Sequence, residues 1–176
     1  MNESMSTVGF QMMCLWFRLR DLLNPPETIL SEADIRPGFH LLDYGCGPGS
    51  YSIAAADLVG NSGRVYAADI NPLALQRLRS IASKRGLTNV ETIHTDCATG
   101  LAESTVDVVL LYDTYHDLVD PGGVLQELHR VLKPGGVLSF SDHHMREEEI
   151  LNAMTSGDLF GPSRAGKRTY SLSRID

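Results

Sequence analysis

The sequence has few of the features that mark exported, membrane-spanning or nucleic-acid-binding proteins. Three cysteines in 176 residues, an odd number without metal-type spacing, indicate free thiols in a reducing compartment and argue against a disulfide framework. No stretch approaches the roughly 18 consecutive apolar residues of a membrane span, and Glu3 stands where a signal peptide would carry a basic residue. Fifteen basic against twenty-two acidic side chains give a net charge of -7, which repels polyanions. These absences predict a cytoplasmic protein without a membrane span or a nucleic acid partner.

The length and composition are typical of one globular domain with a sizeable core. Apolar residues make up 43% of the chain and charged residues 21%, and no internal repeat or linker interrupts them. We therefore expect a single domain over 1–176. It divides into an N-terminal helical lid at 1–35, a ligand-binding core at 36–142, and a C-terminal helix and hairpin at 143–176.

The N-terminal segment carries apolar residues at the spacing of a helix. The pattern predicts an amphipathic helix over roughly 10–23, ended by Asn24-Pro25-Pro26, and a shorter helix over 26–33. Its apolar stripe must lie against something, and the domain core, a ligand cleft, and a membrane or partner surface are the alternatives. The stripe consists of Met12, Leu15, Trp16, Leu19, Leu22 and Leu23.

From residue 39 onward, strand-like and helix-like patterns alternate. Because parallel neighbours require a crossover, the alternation predicts a parallel sheet with helices on both faces. Predicted strands cover 39–44, 64–69, 90–95, 106–112 and 137–142, and predicted helices cover 50–59, 72–84, 124–132 and 147–154. A short strand at 158–160, a turn-forming linker at 161–166 and a strand at 168–173 predict a closing antiparallel hairpin.

Polar residues follow the predicted strands at the edge where an open parallel sheet binds its ligand. The first strand runs into Gly45, Gly47 and Gly49, whose missing side chains let the backbone approach a ligand closely. The second strand ends at Asp69, where a carboxylate can accept hydrogen bonds from ribose hydroxyls. The pattern predicts a bound nucleoside.

Two residues beside the glycine loop distinguish between kinds of nucleoside. A dinucleotide-binding loop has glycine at its sixth position, where this sequence has Ser50. Asp43 precedes the loop, and its negative charge is unfavourable beside a pyrophosphate. Together they favour a ligand that carries an amino or sulfonium group.

These residues resemble the class I S-adenosylmethionine-dependent methyltransferases. The likeness lies in Leu-Asp-Tyr-Gly-Cys-Gly-Pro-Gly at 42–49, Ala-Asp-Ile-Asn-Pro at 68–72, Asp96, and Leu-His-Arg-Val-Leu-Lys-Pro-Gly-Gly at 128–136. It covers about 36–142 and is closest to the small-molecule branch that includes quinone-biosynthesis enzymes. The resemblance implies a Rossmann-like α/β fold with a doubly wound, mostly parallel seven-stranded sheet. It also implies S-adenosylmethionine as cofactor and methyl transfer to a small molecule.

The resemblance further implies a role for each matching position. The glycine loop would border the methionine part of the cofactor, with Asp43 near its amino group, while Asp69 would hold the ribose. Ile70 would pack on the adenine, and Asp96 with the Cys97 backbone would recognise its edge. From the residues alone, helix capping by the carboxylates and space filling by the thiols stay open. The implied cofactor-binding residues are Asp43, Gly45, Cys46, Gly47, Gly49, Asp69, Ile70, Asp96, Cys97 and Tyr112.

The acceptor side needs fewer residues, because methyl transfer from a sulfonium is an in-line displacement that depends chiefly on alignment. His116 is the first candidate for a base or acceptor contact, with Tyr115 as its neighbour. We expect His143 to face the cleft. No metal site is expected, because the adjacent rings of His143 and His144 do not easily point the same way on an extended strand.

Two other functions stay open at this point. A catalytically silent partner subunit would bind S-adenosylmethionine without turnover, and a protein or RNA methyltransferase would need a basic surface. Both a monomer and a homodimer are compatible with the sequence. The basic residues available for such a surface are Arg164, Lys167, Arg168 and Arg174.

Overall fold

Strands and helices alternate along the chain, as its periodicity predicts. The computed structural model describes residues 7–155 and 157–176, so the first six residues of the predicted N-terminal unit lie outside it. The strands are β1 His40–Tyr44, β2 Arg64–Asp69, β3 Val90–His94, β4 Val106–Tyr112, β5 Leu132–Ser141, β6 Phe160–Ala165 and β7 Tyr170–Arg174. The helices are α1 Thr7–Leu23, α2 Pro26–Leu30, α3 Ser50–Val59, α4 Pro72–Arg85, α5 Pro121–Val131 and α6 Glu147–Thr155, with a 3-10 turn at Tyr115–Asp117.

The strands form one mixed sheet in the order β3-β2-β1-β4-β5-β7-β6. Strands β1 to β5 are parallel, and β7 runs antiparallel between β5 and β6. The chain moves outward from β1 to β3 and then places β4 on the other side of β1. This confirms the predicted doubly wound, seven-stranded sheet. The strand order reverses between β1 and β4, which is where such sheets bind ligands.

Strand β4 lies at the centre of the core, because it carries apolar side chains on both faces of the sheet. Val109 and Leu111 pack with Leu128 of α5 on one face, and Val108 and Leu110 pack against α3 on the other. Each of the four strand residues is at most 1% exposed. A fully buried side chain of this size contributes roughly 1.5–3 kcal/mol to stability. The sheet is therefore a firm support for the loops at its carboxyl edge.

The C-terminal hairpin is present, but its strands and turn lie at other positions than predicted. Residues 161–165, predicted as part of a linker, belong to β6, and the turn follows at 166–169. Pro162 is tolerated in β6 because this strand forms the edge of the sheet, where a missing N–H need not break the ladder. A register shift between Pro162 and Arg164 absorbs the irregularity.

Helix α1 leaves its predicted buried stripe exposed. It is anchored through Phe10 and Cys14, which pack on Ala74 of α4, and through Asp21, which accepts a 2.5 Å hydrogen bond from Ser50 Oγ. Packing of the stripe on the domain core is therefore wrong. In the described part of the chain, no helix is both long enough and apolar enough to cross a bilayer. The stripe residues are 55–82% exposed: Met12, Leu15, Trp16, Leu19, Leu22 and Leu23.

Candidate active site

Two of the three loop glycines are required by the packing around them. A Cβ added at Gly45, where φ is +78°, would lie 2.2 Å from Thr114 Oγ1. At Gly49, where φ is +91°, it would lie 2.6 Å from Leu78 Cδ1. Both positions also have the left-handed backbone that favours glycine. These glycines let the loop between β1 and α3 lie close to its neighbours.

Gly47 differs from the other two because it opens onto free space. Its φ is +50°, and an added Cβ would meet no atom within 4 Å. Its N–H donates a 2.7 Å hydrogen bond to Asp69 Oδ2, which turns this peptide toward the end of β2. The loop thus forms a cradle that a side chain would fill and that a ligand can enter.

The end of β2 offers a carboxylate beside an exposed apolar side chain. Asp69 accepts 2.7 Å hydrogen bonds from the N–H groups of Gly47 and Asn71, one on each oxygen. Burial raises the pKa of Asp69, and these hydrogen bonds offset part of the rise. Each oxygen can still accept another hydrogen bond. Ile70 is 51% exposed, so the pair fits a nucleoside, with ribose on the carboxylate and the base on the isoleucine.

The other implied cofactor residues lie around the same edge. Asp96 is exposed after β3, while Cys97 is partly buried and its carbonyl accepts a 3.4 Å hydrogen bond from Tyr44 Oη. Tyr112 is buried, and its hydroxyl pairs with Ser139 Oγ at 2.7 Å. The Tyr112 side chain therefore belongs to the core, which leaves its backbone for a ligand. The cofactor roles of all three stay predictions.

Asp43 is a buried acid directly below the loop. Its Oδ2 accepts a 2.5 Å hydrogen bond from Ser52 Oγ. Burial, with a smaller effect from the Asp69 charge, raises the pKa of Asp43 to about 7. Burial also raises the pKa of the neighbouring Cys46, so this thiol stays protonated and is not a nucleophile at neutral pH. The Asp43 carboxyl is only 2% exposed, and its place near a ligand's amino group stays a prediction.

Two His–Asp pairs lie at the carboxyl ends of β4 and β5. His116 Nδ1 lies 2.9 and 3.0 Å from the two carboxylate oxygens of buried Asp142. His143 Nδ1 lies 2.7 Å from Asp113 Oδ1, which also accepts a 3.0 Å hydrogen bond from the His143 N–H. The His144 ring stands between the two histidines, with centroids 4.2 Å from His116 and 4.0 Å from His143. Each predicted histidine is thus oriented by its own carboxylate.

A cavity of about 330 Å³ lies between α1, α2 and the end of β4. Of the three predicted acceptor residues, only His143 lines it. Tyr115 packs on Phe140, with ring centroids 5.8 Å apart, and His116 turns toward Asp142. Over 7–155 and 157–176, no three His, Cys, Asp or Glu side chains are grouped so that they could hold a metal ion. The lining residues are Trp16, Arg20, Asn24, Pro25, Ile29, Tyr51, Asp113, His143 and Arg168.

Sequence reasoning missed most of this lining because it comes from segments far apart in the chain. Arg20 belongs to α1, Tyr51 to the first turn of α3, and Arg168 to the turn before β7. Trp16 belongs to the apolar stripe for which a ligand cleft is one alternative, and Tyr51 carried a usable signal, since it follows the glycine loop by two residues. The two arginines are brought together by the fold alone.

The comparisons with known proteins agree with this geometry. Residues 35–168 match a family model described as a methyltransferase domain. A demethylmenaquinone methyltransferase of Geobacillus sp. (strain WCH70) is 33% identical over 111 residues, which cover 62% of this chain and 47% of that protein. A ubiquinone/menaquinone biosynthesis C-methyltransferase of Pseudoalteromonas translucida (strain TAC 125) is 30% identical over 154 residues, covering 86% and 57%. The chain spans about half the length of these curated relatives.

A solved structure matches over nearly its whole length. The crystal structure of a SAM-dependent methyltransferase from Aquifex aeolicus superposes with a TM-score of 0.76 at 27% identity. The match covers 88% of this chain and 91% of that one. The likeness therefore includes the sheet and the loops at its carboxyl edge.

Proposed function

The chain belongs to the family of methyltransferase domains, and on this basis we propose that it transfers the methyl group of S-adenosylmethionine to a small-molecule acceptor. The observation that carries the proposal is the open cradle at Gly47, which lies beside Asp69 and the exposed Ile70. A separate cavity with a His–Asp pair adjoins the same strand ends. One site fits the cofactor and the other fits an acceptor.

The residues around the glycine loop would hold the cofactor. Asp69 would accept hydrogen bonds from the ribose, Ile70 would pack on the adenine, and Asp96 with the Cys97 backbone would recognise its edge. Gly47 would border the methionine part. When bound, S-adenosylmethionine supplies an electrophilic methyl group on a sulfonium sulfur.

The chain's own contribution is to orient the acceptor, keep water out and take up a proton where the acceptor must lose one. Asp113 holds Nδ1 of His143, which leaves Nε2 to accept that proton. We infer that His143 is the base. His116 and Tyr115 do not line the cavity. We propose that His116 supports the histidine stack through its ring contact with His144, while Tyr115 packs on Phe140.

The basic residues of the tail favour a small molecule over a nucleic acid. Arg164 donates to the Glu32 carbonyl, and Arg174 Nη1 donates to the Leu132 carbonyl at 2.5 Å. These two side chains are held by backbone carbonyls, which leaves Lys167 and Arg168 as the basic side chains of the tail for a basic surface. The names of the relatives favour a quinone-type acceptor. Free thiols at all three cysteines support the cytoplasmic location that we propose.

Titration calorimetry with S-adenosylhomocysteine, followed by an assay for its release from S-adenosylmethionine, tests the proposal. We expect the wild-type chain to bind the product and the Asp69→Ala variant to lose most of this affinity. An enzyme releases S-adenosylhomocysteine in the presence of its acceptor, whereas a silent partner subunit binds the cofactor without release. Failure of the wild-type chain to bind either compound would exclude the proposed function.

A further inference from the structure

We propose that the cavity beneath α1 binds an anionic group of the methyl acceptor, with the Arg168 guanidinium as its counter-ion and Glu32 as the residue that positions it. The acceptor is then a compact organic acid, either a carboxylate or a phenolate, and the reduced form of a quinone belongs to the phenols. This inference rests on the proposed methyl transfer and names the chemical class of its acceptor.

Of the two arginines that line the cavity, Arg20 has a carboxylate partner and Arg168 does not. Arg20 forms a 2.7 Å ion pair with Asp21, and His143 is bonded to Asp113. Arg168 donates from Nη2 to the neutral amide oxygen of Asn24 at 3.1 Å, and no carboxylate in the described residues lies within ion-pair distance of its guanidinium. The Arg168 guanidinium is thus available to an anionic ligand, while the Asp113 carboxylate supplies a negative charge beside His143. A guanidinium in that position binds carboxylate or phenolate oxygens well.

Glu32 holds the backbone of Arg168 at the cavity, while the Arg168 side chain is bonded to the neutral Asn24 amide. Glu32 Oε2 accepts from the N–H groups of Arg168 and Thr169 at 3.1 and 3.0 Å, and from Thr169 Oγ1 at 3.0 Å. Glu32 Oε1 accepts from the Lys167 N–H at 3.2 Å. One carboxylate therefore fixes the whole turn between β6 and β7 against the segment after α2. The guanidinium, whose partner is the neutral Asn24 amide, is available to an anionic ligand.

The other walls set the size and shape of the acceptor. Trp16, Ile29 and Tyr51 supply apolar surface, and the Tyr51 ring is itself held by Tyr112 and by the Arg20 guanidinium over its face. At about 330 Å³ the cavity is at the small end of ligand pockets. It suits a single ring or a short chain with an acidic group. The proposed base, His143, lines the same cavity as Arg168.

Binding of matched acids and amides to the chain saturated with S-adenosylhomocysteine tests the inference. Benzoate with benzamide, and phenylacetate with phenylacetamide, are suitable pairs for calorimetry. We expect the acids to bind more tightly than their amides. In Arg168→Gln, acid affinity falls about 10- to 100-fold, the range for a lost hydrogen bond between charged groups, while amide and S-adenosylhomocysteine affinities do not change.

Arg85→Gln is the matched control, because Arg85 pairs with Asp57 on another surface and its loss changes net charge equally. Equal binding of acids and amides to the wild type would overturn the inference. The inference would also be overturned if Arg168→Gln lost affinity for S-adenosylhomocysteine and kept its affinity for the acids. Arg168 would then hold the cofactor's carboxylate and not the acceptor's. If S-adenosylhomocysteine does not bind the wild type at all, the proposed function itself fails.

The positioning role of Glu32 has its own readout. We expect Glu32→Ala to weaken acid binding without affecting S-adenosylhomocysteine, and Glu32→Gln, which keeps an acceptor oxygen, to restore part of the loss. Because Glu32 acts through Arg168, adding Glu32→Ala to Arg168→Gln should cause no further weakening. Additive losses would show that Glu32 does not act through Arg168. Urea unfolding of each variant separates this effect from loss of the fold.

Discussion

Replacing Gly47 by alanine separates the cofactor cradle from the stability of the fold. The new methyl group meets no atom within 4 Å, so the only cost to the free protein is the left-handed backbone at φ +50°. That conformation costs a residue with a Cβ about 1–2 kcal/mol. For a chain of this size, we expect the melting temperature to fall by about 2–8 °C. The same methyl group occupies the space where the cofactor would approach, so S-adenosylhomocysteine affinity should fall at least about tenfold.

Gly86→Ala supplies the matched control. Gly86 caps α4 with φ +68°, and an added Cβ there also meets nothing within 4 Å. The Gly86→Ala variant carries similar backbone strain at a distance from the cradle. Its melting temperature should therefore fall by a similar amount, while its affinity for S-adenosylhomocysteine should not change. Gly45→Ala should destabilise the fold itself, because the added Cβ would collide with Thr114. The reasoning is refuted if Gly47→Ala binds S-adenosylhomocysteine like the wild type, or if Gly86→Ala loses as much affinity.

The remaining predictions concern a buried acid and the proposed base. Because burial raises the pKa of Asp43 to about 7 from an ordinary 3.8, the folded chain holds this proton where the unfolded chain has released it. The free energy of unfolding should therefore decrease as the pH rises from about 4 to 7, by up to about 4 kcal/mol. In Asp43→Asn, urea unfolding at pH 5 and pH 8 should no longer show this decrease in the free energy of unfolding. A pH dependence equal to that of the wild type would contradict the assignment of the decrease to Asp43. His143→Asn should lower kcat for methyl transfer about 10²- to 10⁴-fold with S-adenosylhomocysteine affinity unchanged. His116→Asn should lower kcat less, and the reverse order would make His116 the base.

The sheet and its cofactor edge were predictable from sequence because both depend on local patterns. Apolar patterns located β1 to β4 to within one residue, whereas β5 begins at Leu132, five residues before its predicted start. The carboxyl end of each strand then follows from the direction of the chain. The predicted stripe of α1 failed for the opposite reason. Helical spacing shows that Leu15 and Leu19 share a face, but the helix is anchored by Phe10 and Cys14 on another face. Which face is buried depends on residues distant in sequence.

The choice between the two histidines was beyond the sequence for a related reason. His116 and His143 both follow strands that end at the same edge, so position alone makes them equivalent. Their difference arises from their carboxylates: Asp142 is buried and turns His116 toward the core, whereas Asp113, with φ +49°, holds His143 at the cavity. A left-handed aspartate is not readable from sequence, although this residue type is among the few that adopt the conformation readily.

The cradle and the cavity share a sheet edge but depend on different parts of the chain. The cradle is built by consecutive residues after β1 and by the end of β2, where one glycine is open to a ligand and two are fixed by packing. The cavity is built by α1, the segment after it, and a hairpin turn held by Glu32. Substitutions in the two terminal parts can therefore change the acceptor without altering the cofactor loop. The methyltransferase family model, which begins at residue 35, accordingly leaves out α1, α2 and Glu32 on the acceptor side of this division.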